Sequence, residues 1–143
     1  MKVVIAIDSF KGSLSSLEAG EAVREGVLKA DESAEVVIRP LADGGEGTVD
    51  ALAIGLGGEM IEAEVTGPLG ERVRAKYCIV KGSTAVIEMA AATGLSERKD
   101  ALKTTSYGTG QVIKAALDKG AESIVMGIGG TSTTDCGIGA AAA

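Results

Sequence analysis

The first part of the chain alternates between two hydrophobic periodicities. Residues 3–7 form a continuous apolar run, which is typical of a strand covered on both faces. Ser15 followed by Glu18 predicts a capping box that opens a helix. Residues 35–38 predict the next strand, and the loop at 42–48 leads into a second helix that ends near Gly57 and Gly58. The order βαβα favours a parallel sheet with right-handed crossovers.

The pattern changes near residue 59. Residues 60–65 alternate between apolar and polar side chains, residues 66–70 contain a Gly-Pro turn signal, and residues 73–80 are strand-like again. Two strands joined by so short a connection predict an antiparallel hairpin. Residues 84–89 predict a further strand, leading into a loop.

One more helix and strand follow. The helix is expected from about Gly110 to Lys119, with Gly120 placed to end it, and residues 123–128 predict a buried strand. The chain is therefore expected to be α/β. Because the predicted sheet type changes at residues 57–60, we expect one domain in residues 1–58 and a second, mixed α/β domain in residues 59–143.

Composition narrows the range of functions. The 143 residues include 21 Gly and no His, with 2% aromatic residues and a net charge of −6. An acidic chain that is poor in aromatic rings is unsuited to binding nucleic acid. The absence of His excludes His-ligated metals and a Ser-His or Cys-His catalytic pair within this chain. So many glycines predict tight loops where the backbone comes close to another group.

The two cysteines, Cys78 and Cys136, form no CxxC pair, and we expect both to be reduced thiols in a cytoplasmic protein. No apolar stretch approaches the roughly 20 residues that span a bilayer, so no membrane association is expected. Residues 139–143 resemble the first turn of a helix that directly follows a strand and loop. A domain seldom stops at such a point, and we expect the remainder of the protein to continue from there.

The first segment with possible chemistry is 8–13, at the carboxyl end of the first predicted strand and just before a helix. Ligands of open α/β sheets bind at such strand ends. Lys11 offers a positive charge to a phosphate or carboxylate, and Ser9 and Ser13 offer hydroxyl donors. A capped helix start with a solvated lysine would have the same composition.

The second segment, 43–48, holds three glycines between two carboxylates and a threonine. Gly44, Gly45 and Gly47 allow the backbone N–H groups to turn around an anion, while Asp43 and Glu46 could orient a hydroxyl or a metal. The segment is not a Walker A loop, because no Lys-Ser/Thr pair follows the glycines at the required spacing. A turn with acidic residues at a helix N-terminus is the alternative.

The third segment, 127–135, places a run of hydroxyl side chains after a Gly-Gly turn. Such donors suit phosphate oxygens, and a carboxylate beside them suits Mg²⁺. The residues expected to cradle a phosphate are Gly129, Gly130, Thr131, Ser132 and Thr133, and the one expected near Mg²⁺ is Asp135. A polar surface loop could have the same residues.

Six motifs in this order resemble the N-terminal part of bacterial type-1 glycerate kinases, and the resemblance spans the whole chain. They are Asp8-Ser9-Phe10-Lys11-Gly12-Ser13, Ala42-Asp43-Gly44-Gly45-Glu46-Gly47-Thr48, Thr66-Gly67-Pro68-Leu69-Gly70, Ile87-Glu88-Met89-Ala90, Ser106-Tyr107-Gly108-Thr109-Gly110 and Gly127-Ile128-Gly129-Gly130. The sequence departs from the family pattern at Thr134, where Asn is expected, and at Cys136, where Gly is expected.

The resemblance implies ATP-dependent phosphorylation of D-glycerate to 2-phosphoglycerate, with Mg²⁺ as cofactor. It also implies two α/β domains around a cleft, of which the first is a Rossmann-like parallel three-layer domain completed by C-terminal sequence. The 143 residues would then lack part of the active site and be inactive alone.

Residue roles follow from the resemblance and from the chemistry of phosphoryl transfer, which depends on positioning and charge neutralisation. Asp43 would orient or deprotonate the glycerate hydroxyl, and Lys11 would neutralise phosphoryl or carboxylate charge. Substrate contacts are expected from Ser9, Ser13, Gly44, Gly45, Glu46 and Gly47. Two alternatives stay open. One is a non-catalytic chain that either binds small anions or only packs against the rest of the protein, and the other is an enzyme of another reaction type that processes acid sugars.

Overall fold

A computed structural model describes residues 1–95 and 100–143 of the chain. The fold is mixed α/β, with two small sheets. The first sheet consists of two parallel strands, β1 (Lys2–Ile5) and β2 (Glu35–Ile38), joined through helix α1 (Ser16–Ala30). This confirms the predicted βαβ connection. The three-layer Rossmann-like arrangement is not shown and stays a prediction.

Helix α1 begins as the sequence predicts. The Ser15 side chain accepts the Glu18 N–H, and the Glu18 carboxylate accepts the Ser15 N–H, so the capping box is complete. The helix lies close against β2: a Cβ on Gly20 would stand 2.7 Å from a methyl group of Ile38. The glycine therefore sets how near the helix comes to this sheet.

The first strand differs from the prediction of burial on both faces. Ile5 is buried, but Val4 is 59% exposed. The reason is that α1 packs against only one side of this two-stranded sheet, and no other described element covers the second side.

The second sheet has four strands in chain order. β3 (Glu59–Thr66) and β4 (Arg72–Val80) form the predicted antiparallel hairpin, β5 (Thr84–Glu88) pairs antiparallel with β4, and β6 (Ser123–Gly127) pairs parallel with β5. The prediction that the last strand is buried is wrong. β6 lies at the edge of the sheet, and Val125 is 48% exposed.

The remaining helices are α2 (Thr48–Leu56), α3 (Met89–Thr93), α4 (Tyr107–Asp118) and α5 (Ile138–Ala142). The short helix α3 was not predicted, and α4 begins three residues before the predicted start. The main core lies between the second sheet and α4, around the fully buried Tyr77, Ile87 and Val112.

Helix α2 packs against the second sheet rather than the first. Val49 and Ala53 of the helix cluster with the buried Cys78, Val80 and Val86 of β4 and β5. Because this helix lies within residues 1–58, its packing links the two halves of the chain. The domain division at residues 58 and 59 stays a prediction.

Both cysteines are free thiols, with Cys78 buried and Cys136 exposed. In the part of the chain that the structure describes, no helix is both long and apolar enough to cross a bilayer.

Candidate functional site

One cleft, with a cavity volume of about 930 Å³, brings all three candidate segments together. Its walls include residues 8–17, Asp43 and residues 45–47, and Gly129 with Gly130. The candidate residues that line this single space are Ser9, Lys11, Ser13, Asp43, Gly45, Glu46, Gly47, Gly129 and Gly130. Gly44 lies behind this wall, where its carbonyl oxygen accepts the Gly129 N–H at 2.9 Å.

The first segment presents Lys11 on a tight turn. The N–H groups of Ser13 and Leu14 both donate to the carbonyl oxygen of Phe10, and Gly12 adopts a left-handed φ of +76° at the apex. The turn leaves the Lys11 ammonium largely in solvent, 3.4 Å from the Asp43 carboxylate. A flexible cation at the cleft mouth is free to follow an anionic ligand.

The carboxylate of Asp43 is held from its own loop. Its Oδ1 accepts the Gly45 N–H at 3.0 Å, and its Oδ2 faces Lys11. The Gly45 N–H, and after it the Lys11 charge, lower the pKa of Asp43 below its usual range. The group is therefore ionised at neutral pH and is a weak proton acceptor, which suits orienting a hydroxyl better than removing its proton.

The second and third segments meet backbone to backbone. A Cβ on Gly127 would stand 2.6 Å from the Gly44 carbonyl oxygen, and one on Gly129 would stand 3.0 Å from the Gly45 Cα. Only glycine permits this approach at both positions. The glycines of the third segment thus bring residues 129 and 130 to the cleft wall beside Asp43.

The hydroxyl groups of the third segment donate to backbone carbonyl oxygens of other segments. Ser132 Oγ donates to the Thr93 carbonyl oxygen, Thr133 Oγ1 to that of Thr104, and Thr134 Oγ1 to that of Ala101. Thr131 forms an isolated bridge with Gly94. These contacts hold the loop against Thr93, Gly94, Ala101 and Thr104. The phosphate-binding role of Thr131, Ser132 and Thr133 stays a prediction.

Asp135 lies between the starts of two helices, α4 and α5. Its Oδ2 accepts the N–H and the hydroxyl of Ser106, both at 2.8 Å, and the Gly139 N–H at 3.2 Å, while its Oδ1 accepts the Gly137 N–H at 3.0 Å. These donors, the Ser106 N–H first, lower the pKa of Asp135 to about 2. The carboxylate thereby joins the starts of α4 and α5.

The described residues do not fit a ready-made Mg²⁺ site. Nowhere in residues 1–95 or 100–143 do three or more acidic, His or Cys side chains gather where they could hold a metal ion. The oxygens of Asp135 already accept five hydrogen bonds from its own fold, the fifth being a longer one of 3.5 Å from the Thr105 hydroxyl. The assignment of Asp135 to Mg²⁺ stays a prediction.

Sequence reasoning did not place Glu88 in the site. It ends β5, is 8% exposed and lines the cleft together with Ala90 and Ala91. Burial is the main cause that raises its pKa, and the nearby charges of Asp50 and Glu46 add to it. The sequence signal for Glu88 is a carboxylate at the end of an apolar strand. That signal fits a residue in a packing role as well as it fits a residue in a functional site.

Comparisons with known proteins agree with one another. The model of the glycerate kinase family matches residues 3–143. Glycerate kinases of Haemophilus influenzae and Bacillus subtilis are 51% and 52% identical to the chain over 97% of its length, and a glycerate 2-kinase of Escherichia coli is 50% identical. The chain covers 38% of the length of each of these relatives.

A crystal structure assigned to glycerate kinase 2 of Salmonella typhimurium LT2 superimposes with a TM-score of 0.83 at 50% identity. The match covers 98% of this chain and 39% of that one. The similarity therefore extends through both sheets and the cleft between the three segments.

Proposed function

Because the chain belongs to the glycerate kinase family, we propose that it supplies the cleft in which D-glycerate is phosphorylated by ATP to give 2-phosphoglycerate. The observation that carries this proposal is the convergence of three separate segments on one cleft, with Lys11 and Asp43 3.4 Å apart at its mouth. The chain spans about two fifths of the relatives it matches, so the activity is proposed for a protein of their full length.

In the proposed reaction the oxygen of the glycerate 2-hydroxyl bonds to the γ-phosphorus of ATP while the bond from that phosphorus to the β–γ bridging oxygen breaks. ADP leaves, and the hydroxyl proton passes to solvent. Such transfers depend on holding the reactants in line and on neutralising charge. The Asp43 carboxylate accepts a hydrogen bond from the attacking hydroxyl and orients it. Lys11 turns from Asp43 toward the glycerate carboxylate or the transferred phosphoryl group, and its solvent-exposed position leaves it free to do so.

The remaining residues bind the substrates and shape the cleft. The hydroxyls of Ser9 and Ser13 and the N–H groups around Gly45 and Gly47 donate to the oxygens of glycerate. Gly129 and Gly130 let the backbone of the third segment approach the phosphates. No step is assigned to a metal, since the described residues offer no site that fits one.

Release of ADP in the presence of D-glycerate tests the proposal. It is measured on this chain and on an extended chain, which continues past Ala143 to the length of the relatives. Glycerate-dependent ADP release by the extended chain would support the proposal. An extended chain that binds ATP and glycerate without forming ADP would contradict it and favour a binding module. Turnover of another acid sugar, but not of glycerate, would favour a different enzyme on the same scaffold.

We propose a cytoplasmic location, for which the two free thiols are the support.

A further inference from the structure

The cleft contains one buried carboxylate that the proposed reaction does not use. Glu88 is 8% exposed and lies at the carboxyl end of β5, in the wall of the cleft. Its Oε1 accepts the Val49 N–H at 2.6 Å, across 39 positions of sequence. A buried carboxylate is costly to desolvate, and such groups persist where they have hydrogen-bond partners or a functional role.

The hydrogen bond falls at the start of α2, which has no cap of its own. The residue before the helix is Gly47, which has a left-handed φ of +91° and no side chain to accept an N–H. The hydroxyl of Thr48 does not help, because it donates to the Gly45 carbonyl oxygen at 2.8 Å. The first N–H groups of a helix need acceptors from outside. Glu88 supplies one from a different strand.

Through this contact Glu88 affects the position of the neighbouring loop, residues 43–47. The start of α2 continues directly into residues 43–47, where the Gly45 N–H in turn holds the Asp43 carboxylate. We infer that Glu88 is a positioning residue of the site, which ties the first turn of α2 to β5 and thereby holds the 43–47 loop in its place at the cleft. The inference rests on the proposed function in so far as this loop is taken to bind glycerate.

Two substitutions of equal side-chain length separate this role from others. Glu88→Gln retains an oxygen that can accept the Val49 N–H, whereas Glu88→Met fills the same space and cannot accept it. Exposed Glu122 is changed to Met as the control. Amide hydrogen exchange at Val49 and Gly45 is measured on the chain, and kcat and KM for glycerate are measured on the extended chain.

We expect Glu88→Met to speed amide exchange at both positions by about tenfold or more, because the N–H of the buried Val49 loses its acceptor. The KM for glycerate should rise by about the same factor while kcat changes less. Glu88→Gln should stay within about threefold of the parent in both measurements, and Glu122→Met should match the parent. If Glu88→Met does not fold, Glu88→Asp takes its place, because the shorter side chain also withdraws the acceptor.

Parent-like exchange and KM in Glu88→Met would overturn the inference. Equal loss of turnover in the Gln and Met variants would also overturn it, because the negative charge and not the hydrogen bond would then be needed. Faster exchange without a change in KM would mean that the contact stabilises α2 but does not position the loop for substrate. If the unsubstituted extended chain forms no ADP, the proposed function fails, whereas the exchange at Gly45 still decides whether Glu88 holds the loop.

Discussion

Replacing Asp135 with Asn tests how the third segment is held. The native carboxylate accepts hydrogen bonds from the N–H groups of Ser106, Gly137 and Gly139 and from the Ser106 hydroxyl. An Asn side chain has one oxygen and one NH₂ group, so at least one of these N–H donors would face another donor. The substitution therefore removes both the charge and part of the acceptor set.

The expected loss of stability follows from the pKa of Asp135. These donors lower it from 3.8 to about 2, which at about 1.36 kcal/mol per pH unit corresponds to roughly 2.5 kcal/mol at neutral pH. Asp135 is only partly buried, and solvent screening reduces this to roughly 1–2 kcal/mol. For a chain of this size that is a fall in Tm of about 3–6 °C.

The pH dependence gives a second measurement with a definite sign. A carboxyl whose pKa is depressed by folding stabilises the protein above its unfolded pKa, and this stabilisation is lost as the pH falls through the folded value. The difference in unfolding free energy between the parent and Asp135→Asn should thus be constant above about pH 5. It should narrow between about pH 4 and pH 2.

Urea unfolding of both proteins between pH 7 and pH 3 measures this difference, with Glu25→Gln on the exposed side of α1 as the control. Equal stability of parent and Asp135→Asn at pH 7 would refute the reasoning. So would a difference that does not change with pH. If Asp135 instead holds Mg²⁺, the extended Asp135→Asn chain should need a much higher Mg²⁺ concentration for half-maximal ADP release, while its melting is unchanged.

Three further substitutions probe the cleft and one backbone position. Lys11→Met in the extended chain should lower turnover at least tenfold, with a Tm within about 1 °C of the parent because an exposed ion pair contributes little to stability. Lys76→Met is the control, and near-normal turnover of Lys11→Met would remove Lys11 from the mechanism. Asp43→Asn should lower turnover by about tenfold if the carboxylate only orients the hydroxyl, and by about 10²–10⁴-fold if the carboxylate removes the proton. Unchanged turnover would mean that Asp43 has only a structural role. Cys136→Gly should raise stability by about 0.5–1 kcal/mol in urea unfolding, because Cys136 has a left-handed φ of +53°. Cys136→Ser keeps the Cβ and should not have this effect, so equal gains in both variants would contradict the argument.

The elements that the sequence predicts well are those that depend on neighbouring residues. The capping box of Ser15 and Glu18 is complete, and the hairpin of β3 and β4 forms across the Gly-Pro turn. Both signals lie within a few positions of the structure they specify. The departure at Cys136, where the family pattern has Gly, also corresponds to a real feature, since its φ of +53° lies where glycine is favoured.

The features that sequence reasoning missed depend on distant partners. The Ser106 side chain does not cap α4, and the Ser106 N–H there donates to Asp135, 29 positions along the chain. The apolar face of α2 does not reveal that it packs on β4 and β5 rather than on the first sheet.

The same difference between local signals and distant partners applies to the candidate site. The motifs mark residues 8–13, 43–47 and 129–130 as candidates for binding, and the structure shows that all of them except Gly44 line one cleft. The partners of the Ser132 and Thr133 hydroxyls and the contact of Glu88 with α2 were not predictable, because a donor or acceptor type does not specify its partner.

The backbone contact of Gly44 with Gly129 also bears on the order in which the molecule folds. Residues far apart in sequence can meet only after the chain has paid the entropy of closing a long loop. The hairpin and α1 need only local contacts, so they can form early, whereas the cleft needs both sheets in place before its walls touch. Neither Gly44 nor Gly129 has a side chain of its own to pack at this contact and resist opening. The cleft is thus expected to be the last part of the fold to assemble and the first to open in a native-state fluctuation, which gives a small ligand a route in without unfolding either sheet.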